Sequence, residues 1–187
     1  MIFAKHSNLE GLHAYLGASK YSWLNYSDEE VAEHYRNNLA AERGTRLHAF
    51  ASEAIKLGRK QPKTNDTLSM FVNDAIGYRM QSEQILYYSP YCFGTADAIS
   101  FRNNLLRISD LKTGLLTKPH FEQLEIYAAL FCLEYGYKPF DLKGIELRIY
   151  LLNEVHYREP DPADIAHIMD RIITADKIIS KIAEEES

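Results

Sequence analysis

Cysteine is scarce in this sequence, which excludes two kinds of architecture. The chain has 187 residues and two cysteines, Cys92 and Cys132. Two cysteines are too few for a disulfide-stapled fold or for a four-cysteine metal cluster. Because both have aromatic or aliphatic neighbours, we expect them to be reduced, buried thiols.

Long apolar runs and an excess of positive charge are missing too. No run approaches the roughly 18 residues that a membrane span needs, and residues 1–11 lack the pattern of a signal peptide. We therefore expect a cytoplasmic protein with no membrane partner. The net charge is −5 and the isoelectric point is about 5.8. Nucleic-acid-binding faces are usually basic, so such a partner would need positive charge from a bound metal or a local patch.

Repeats, low-complexity tracts and linkers rich in proline or glycine are also absent from the sequence. We therefore predict a single domain over residues 1–187. Hydrophobic residues make up 46% of the chain and charged residues 25%, as in ordinary globular proteins, and the length is sufficient to bury a core.

The order of apolar patterns and capping residues predicts an α/β fold with a central mixed β-sheet flanked by helices. Five helices are predicted. The first starts with a capping box at Ser27 and Glu30 and runs through Glu42, and the second is capped by Thr45 and ends at Gly58. The third is capped by Asp66, the fourth is buried and begins at Pro119, and the fifth is C-terminal, over about 162–185. The predicted strands are Glu83–Ser89, the two strands of a hairpin within 93–114, and Glu146–Leu152.

The hairpin of residues 93–114 (FGTADAISFRNNLLRISDLKTG) carries two acids and a lysine among residues suited to a core. With Asn103 and Asn104 as a two-residue turn, Asp97 lies opposite Asp110, with about 5 Å between the Cβ atoms. Alternation along the strands predicts that both acids and Lys112 share one face with the apolar residues Ile99, Phe101, Leu106 and Ile108.

Two facing carboxylates repel each other, and a Mg²⁺ or Mn²⁺ ion between them would remove that cost. The ammonium group of Lys112 could then orient an attacking water or stabilise charge on a phosphate oxygen. The alternative is that Asp97 merely ends a strand, that Asp110 and Lys112 form a surface ion pair, and that the register differs. The hairpin by itself leaves both interpretations open.

Two helices supply further polar candidates. Gln123 and Tyr127 are four residues apart and share a helix face. On a helix that is apolar nearly all round, a glutamine needs a hydrogen-bond partner or a place at the rim. The imidazole of His48 could ligate Mn²⁺. Each of these three could also be an ordinary boundary, surface or core residue.

Four short motifs follow one another along the chain: GTRLH (Gly44 to His48), GTAD (Gly94 to Asp97), DLKTG (Asp110 to Gly114) and QLEIY (Gln123 to Tyr127). Together they resemble the motifs of the PD-(D/E)XK nuclease superfamily, and most closely its RecB-like branch, which includes CRISPR adaptation nucleases and phage exonucleases. The resemblance covers about residues 42–152 and leaves residues 1–41 as a helical extension. The compact layout is similar to that of phage-encoded members.

This resemblance implies a restriction-endonuclease-like core and a metal-dependent nuclease site. The implied catalytic residues are Asp97, Asp110, Lys112, Gln123 and Tyr127, and the implied metal ligands are His48, Asp97 and Asp110. Many relatives carry an acid at the position of Glu83, although a solvent-facing strand glutamate is the preferred interpretation there. Several relatives hold an iron–sulfur cluster on four cysteines; here we expect Mg²⁺ or Mn²⁺ and no such cluster.

The implied reaction is phosphodiester hydrolysis by a DNA exonuclease that serves recombination, repair or replication. A structure-specific or nicking endonuclease of the same fold is an alternative, as is a module that binds DNA or a partner protein without cutting; the retained acids and lysine disfavour the latter. A recombination or replication partner and an oligomer are both left open.

Cations near the predicted elements could form a local basic rim for the DNA backbone, or could simply be solvated: Arg43, Arg46, Arg102, Arg107 and Lys118. Aromatic residues near the N-terminus could stack on bases, although packing is the preferred interpretation: Tyr15, Tyr21, Trp23 and Tyr26.

Overall fold

The computed structural model describes residues 7–9, 11–113 and 120–186. It contains a five-stranded mixed sheet flanked by helices, so the predicted α/β class is confirmed. Gly114, Lys118 and Pro119, which figure in the sequence predictions, lie outside the described residues. The helices are α1 (Asp28–Lys56), α2 (Thr67–Gly77), α3 (Glu122–Tyr135) and α4 (Pro162–Glu185), and the strands are β1 (Gln81–Ser89), β2 (Cys92–Arg102), β3 (Leu105–Leu111), β4 (Gly144–Leu151) and β5 (Glu154–Arg158).

The strands lie in the sheet in chain order, from β1 to β5. β3 and β4 are parallel, and the other neighbouring pairs are antiparallel. Parallel neighbours need a long crossover connection, and here that connection contains α3. None of the described helices combines the length and apolar character that crossing a membrane requires.

The predicted hairpin register is confirmed for the apolar pairs. Ile99 lies opposite Ile108, and Phe101 lies opposite Leu106. Asn103 and Asn104 have φ angles of 52° and 61°, as the two central residues of a type I′ turn require. This turn type matches the twist of the flanking strands, so two asparagines suffice to set the pairing.

Two groups of buried side chains pack on opposite faces of the sheet. Ile149 belongs to the group formed with α3, and the next residue, Tyr150, belongs to the group formed with α1 and α2, as strand alternation requires. The α3 group also takes in Ile165 of α4. Residues 127–132 of α3 are all buried, which agrees with the prediction of a helix that is apolar nearly all round.

The predicted helix break at Gly44 and Thr45 is wrong, because α1 continues from Asp28 to Lys56. The capping box at its start is confirmed, since the backbone N of Ser27 and the Glu30 carboxylate are 2.7 Å apart. A glycine inside a helix costs about 1 kcal/mol, which tertiary packing can offset. Gly44 is buried, and a Cβ there would lie 2.7 Å from Oγ1 of Thr113.

β5 is a strand that the sequence did not predict. It follows a tight turn in which Leu152 and Asn153 have φ angles of 50° and 64°. Four of its five residues are exposed, and His156 alone among the five is partly covered. A strand without a buried face has no hydrophobic alternation to reveal it.

The chain divides into two compact units, residues 1–43 and 44–187. In the first unit, ring contacts join Tyr15 to Tyr35 at 5.1 Å and Tyr26 to His34 at 4.5 Å between centroids. The second unit contains the sheet and both buried groups. The expectation of a single domain remains a prediction.

Candidate active site

Glu83 on β1 and Asp97 on β2 lie between two paired positions, Ser82 with Ala98 and Gln84 with Ala96, where the β1–β2 ladder skips a pair. β2 changes face at this point. Ala96 packs in the buried group on the α3 side, while Ala98 packs in the group on the α1 and α2 side. Residues two apart in a regular strand share a face, so the alternation is interrupted at Asp97. Glu83 has a φ of 53°, a left-handed conformation that is uncommon for a non-glycine residue and that clusters at functional sites.

His48, on α1, completes a group with these two acids. Its Nδ1 lies 3.3 Å from Oδ2 of Asp97. His48, Glu83 and Asp97 each offer one ligand atom, and the three atoms lie within 4.8 Å of one another. Carboxylates suit Mg²⁺ and imidazole suits Mn²⁺, so this donor set fits a divalent cation, although acidic groups also cluster where no metal binds.

The surrounding acids raise the pKa of His48. The hydrogen bond to Asp97 is the largest cause, burial opposes it, and the charges of Asp97, Asp110 and Glu83 add to it. These acids therefore favour the protonated form of the imidazole.

The two strands of the hairpin separate before they reach the pair of acids. The β2–β3 ladder ends at Ala98 and Ser109, so Asp97 and Asp110 are not ladder partners. The backbone N of Leu111 instead donates a hydrogen bond of 2.8 Å to Oδ2 of Asp97. The side chain of Asp97 thus satisfies a donor that β2 leaves unpaired, which fixes the carboxylate between the strands.

Asp110 is deeply buried, with 3% of its surface exposed. Burial raises its pKa and the charge of Asp97 raises it further, whereas Lys112 and His48 lower it. Its Oδ2 lies 2.9 Å from Nζ of Lys112 but accepts no well-aligned hydrogen bond within the described part of the chain. Asp110 is not part of the group of three around His48, and it offers an under-satisfied buried oxygen beside that group.

The predicted residues Lys112, Gln123 and Tyr127 form one hydrogen-bonded chain. Nζ of Lys112 donates to Oδ1 of Asp110 at 3.2 Å and to Oε1 of Gln123 at 2.9 Å. Nε2 of Gln123 then donates to the hydroxyl oxygen of Tyr127 at 2.9 Å. Burial raises the pKa of Tyr127, although the hydrogen bond from Gln123 opposes this. The phenol therefore stays protonated at neutral pH and can donate a hydrogen bond.

Two motif glycines allow the elements around the site to approach closely. A Cβ at Gly94 would lie 2.7 Å from Cε1 of Tyr127, so only glycine lets that ring lie against β2. Gly44 brings α1 equally close to Thr113, next to Lys112. One turn further along α1, His48 reaches Asp97. The glycines of GTAD and GTRLH thus have a steric role.

Sequence reasoning preferred a solvent-facing Glu83, and that residue is indeed exposed. Its carboxylate nevertheless lies beside His48 and Asp97. Counting the β1–β2 register could have placed Glu83 level with Asp97, between the pairs Ser82–Ala98 and Gln84–Ala96, but only past an irregularity near Ser89. No sequence signal indicated the left-handed backbone at Glu83.

The cations that could form a basic rim are not gathered beside the acids, and the choice between a rim and solvated cations stays a prediction. Arg102 lies next to the hairpin turn, and Arg107 lies opposite Ser100, so both are on the turn side of Asp97 and Asp110. Arg46 is exposed on α1. Arg43 belongs to the first unit.

The two cysteines do not share one environment. Cys132 is buried, and burial raises its pKa to about 11. Cys92 is partly exposed. The expectation of a buried thiol is therefore confirmed for Cys132 and wrong for Cys92. Both are free thiols.

No protein-family model matches the chain, and no curated protein matches it. A solved structure titled "Crystal structure of SSO0001" is similar at 13% sequence identity with a TM-score of 0.30. The match covers 57% of this chain and 61% of that chain, which is less than two thirds of the latter's length. A likeness this small supports no inference about fold or activity.

Proposed function

We propose that this protein is a metal-dependent deoxyribonuclease, and specifically an exonuclease that hydrolyses DNA phosphodiester bonds in recombination, repair or replication. The convergence of acids, an imidazole and an ammonium group where β2 and β3 separate carries the proposal. The resemblance of the four motifs to those of PD-(D/E)XK nucleases supports it, and with it a restriction-endonuclease-like core.

Mg²⁺ or Mn²⁺ is the proposed cofactor. His48, Glu83 and Asp97 would hold it, with the buried oxygen of Asp110 as a further ligand. When bound, such an ion polarises the scissile phosphate and lowers the pKa of a bound water. The same charge would relieve the repulsion between Asp97 and Asp110 that raises the pKa of Asp110.

The remaining groups of the site would position the substrate. In hydrolysis a water oxygen bonds to phosphorus while one P–O ester bond breaks. Lys112 keeps its ammonium group beside Asp110 through hydrogen bonds to that acid and to Gln123, and from there it can orient the water or stabilise charge on a phosphate oxygen. Tyr127 accepts a hydrogen bond from Gln123, which leaves its own O–H to donate to a phosphate oxygen.

Cleavage of end-labelled linear DNA with Mg²⁺ or Mn²⁺ tests the proposal. Asp110→Ala and Lys112→Ala are expected to lose at least about 100-fold in rate, as enzymes do when a group that stabilises transition-state charge is removed. Asp170→Ala and Lys177→Ala, which change exposed residues of α4, are the matched controls and should cut at the wild-type rate.

The same assay separates the alternatives. An exonuclease degrades linear DNA and spares closed circles, whereas cutting of closed circles would identify an endonuclease of the same fold. Undiminished cleavage by Asp110→Ala and Lys112→Ala would refute the assigned site. Failure of the wild-type protein to cut any DNA would favour a module that binds without cutting.

A further inference from the structure

A polar cavity of about 460 Å³ opens beside the turn of the β2–β3 hairpin. This is the end of the hairpin opposite Asp97 and Asp110. The residue after α2, the hairpin turn and the residue before β4 all contribute to it. Four cations line the cavity: Arg79, Arg102, Arg107 and Lys143.

Of these four cations, Arg107 already has a carboxylate partner, and the other three have none among the described residues. Nε of Arg107 lies 2.7 Å from Oε2 of Glu146, whose carboxylate also pairs with Arg148. Arg79, Arg102 and Lys143 are exposed. None of these three forms an ion pair with a residue in the described ranges.

The backbone that carries these cations is fixed by specific contacts. The backbone N of Lys143 donates to the carbonyl oxygen of Asn104 at 2.8 Å, and Nδ2 of Asn104 donates to the carbonyl oxygen of Asp141 at 2.6 Å. Arg79 has a φ of 53°, which turns the chain between α2 and β1. Three elements therefore hold unpaired cations around one cavity.

Concentrating unpaired cations is unexpected in a chain of net charge −5. Like charges close together repel each other, and a bound anion removes that cost. Arginine binds phosphate through two parallel N–H donors. A neighbouring cavity of about 360 Å³ is lined by the same Arg79 and Arg102 and adds no further cation. The three unpaired cations exceed the charge of a single phosphate group, which is about −2 at most at neutral pH, so the site suits a chain of phosphates.

We propose that this basic cavity is a second phosphate-binding site, which holds the backbone of a DNA duplex away from the point of cleavage. The identity of the ligand rests on the proposed nuclease function. Arg102 lies five positions after Asp97 on β2, a distance of about 16 Å along the strand. Duplex DNA rises 3.4 Å per base pair, so the cavity would contact phosphates roughly five base pairs from the cut.

The test measures DNA binding without cleavage. The full-length protein is titrated in EDTA against a fluorescein-labelled duplex of about 20 base pairs, and fluorescence anisotropy gives the affinity between about 50 and 200 mM salt. The cavity variant is Arg79→Gln, Arg102→Gln and Lys143→Gln combined. The control variant has the same change in net charge at exposed cations elsewhere: Lys60→Gln, Lys63→Gln and Lys177→Gln combined.

Each phosphate contact that is lost should lower the salt slope of the affinity by about 1, so the cavity variant should fall by about 3 relative to wild type. The control variant should fall by less than about 1. Equal slopes for the two variants, or no DNA binding by the wild-type protein, would overturn the site. Binding of inorganic phosphate that the cavity variant loses, with an unchanged DNA slope, would identify a small-anion site and would also overturn it.

Cleavage assays on the same proteins separate this site from the active site. The cavity variant should show a higher KM for DNA with an unchanged kcat, while Asp110→Ala should lose cleavage and keep the wild-type salt slope. If cleavage depends on Asp110 but the two triple variants bind alike, the cavity assignment fails and the nuclease stands. If Asp110→Ala cuts normally but the cavity variant loses slope, the nuclease site fails and the cavity assignment stands.

Discussion

Asp110 is an acid in a position that should lower the stability of the fold. It is buried beside another acid, and its pKa is raised by burial and by the charge of Asp97. Glu83, on β1, has a left-handed backbone. Strained and mutually repelling groups of this kind persist where a function requires them.

Replacing Asp110 by Asn should therefore stabilise the fold while it abolishes cleavage. Without metal, the variant loses a buried negative charge, and the free energy of unfolding should rise by about 1 kcal/mol. Lys112→Met should instead lower the free energy of unfolding by about 2 kcal/mol, because it leaves the buried carboxylate of Asp110 without its lysine partner. Urea unfolding in EDTA at pH 7 measures both changes, with Asp170→Asn as the control. A less stable Asp110→Asn protein would contradict this account.

Gly94 offers a test of the close packing at Tyr127. A Cβ at this position would meet the ring at 2.7 Å, and the ring is held by Gln123 and by the surrounding core. Gly94→Ala should cost about 1–3 kcal/mol through overpacking and should lower the cleavage rate, because displaced Tyr127 breaks the chain to Lys112.

Gly77→Ala is the matched control for Gly94→Ala. Gly77 is the last residue of α2, and a Cβ there would meet no atom within 4 Å. This variant should be neutral or slightly more stable, since alanine is the better helix former. Equal thermal stability of the two variants, measured by circular dichroism, would show that Gly94 is not sterically required.

Spacing predicted that Asp97, Asp110 and Lys112 share a face and that Gln123 lies near Tyr127. That these residues and His48 form one site was implied by the resemblance of the motifs. Gln123 and Tyr127 form a hydrogen bond because side chains at i and i+4 are neighbours on a helix surface. Lys112 reaches Asp110 because the two share a strand face. Glu83 is exposed, as the preferred interpretation expected, but an exposed carboxylate can still lie beside His48 and Asp97.

At the scale of whole elements, local signals predicted the hairpin and missed two features set by tertiary contacts. Asn103 and Asn104 tolerate positive φ, so the turn and the register follow from two residues. Gly44 has the local chemistry of a helix end, yet it lies within α1 because packing against Thr113 favours a small residue there. β5 gives no signal, because its residues face solvent on both sides.

The parallel pairing of β3 with β4 carries an ion-pair network that predicts a pH-dependent stability. Burial alone would raise the pKa of Glu146, but hydrogen bonds from Arg107 and Arg148 outweigh burial and leave this pKa below 4.5. A carboxyl group whose pKa is lower in the folded state stabilises the fold while it is ionised. That stabilisation is lost as the pH falls through the folded pKa.

Glu146→Gln should thus reduce the free energy of unfolding by about 2 kcal/mol at pH 7. The deficit relative to wild type should shrink as the pH falls below the ordinary value of 4.5. Urea unfolding across this range measures it, with the exposed Glu53→Gln as a control that should differ little from wild type. A deficit that stayed constant down to pH 3 would mean that the charge of Glu146 is not its source.

For the molecule as a whole, the distribution of charge matters more than its sum. The acids gather where β2 and β3 separate, and unpaired cations gather at the other end of the same hairpin. A net charge of −5 is therefore compatible with a nucleic-acid partner, provided that the partner contacts the basic end. The composition could not reveal this separation, because it depends on the register of the hairpin.

The division into two units predicts that the N-terminal residues are dispensable for the fold of the second unit. Among the described residues, no buried residue precedes Gly44, and every proposed site residue follows it. A chain that begins at Ser27 keeps the capping box of α1. Its free energy of unfolding should change by less than about 1 kcal/mol, and it should cut DNA at the wild-type rate.

Three measurements on this shortened chain test the prediction: urea unfolding gives the free energy of unfolding, a cleavage assay gives the rate, and anisotropy gives the affinity for DNA. Loss of cooperative unfolding would mean that residues before Ser27 complete the core, against the burial pattern. Intact stability with a loss of affinity for single-stranded DNA would mean that Tyr21 and Trp23 stack on bases. We expect neither, because Tyr15 and Tyr26 already pack on rings within the first unit, and Nε1 of Trp23 donates to the carbonyl oxygen of Gly17.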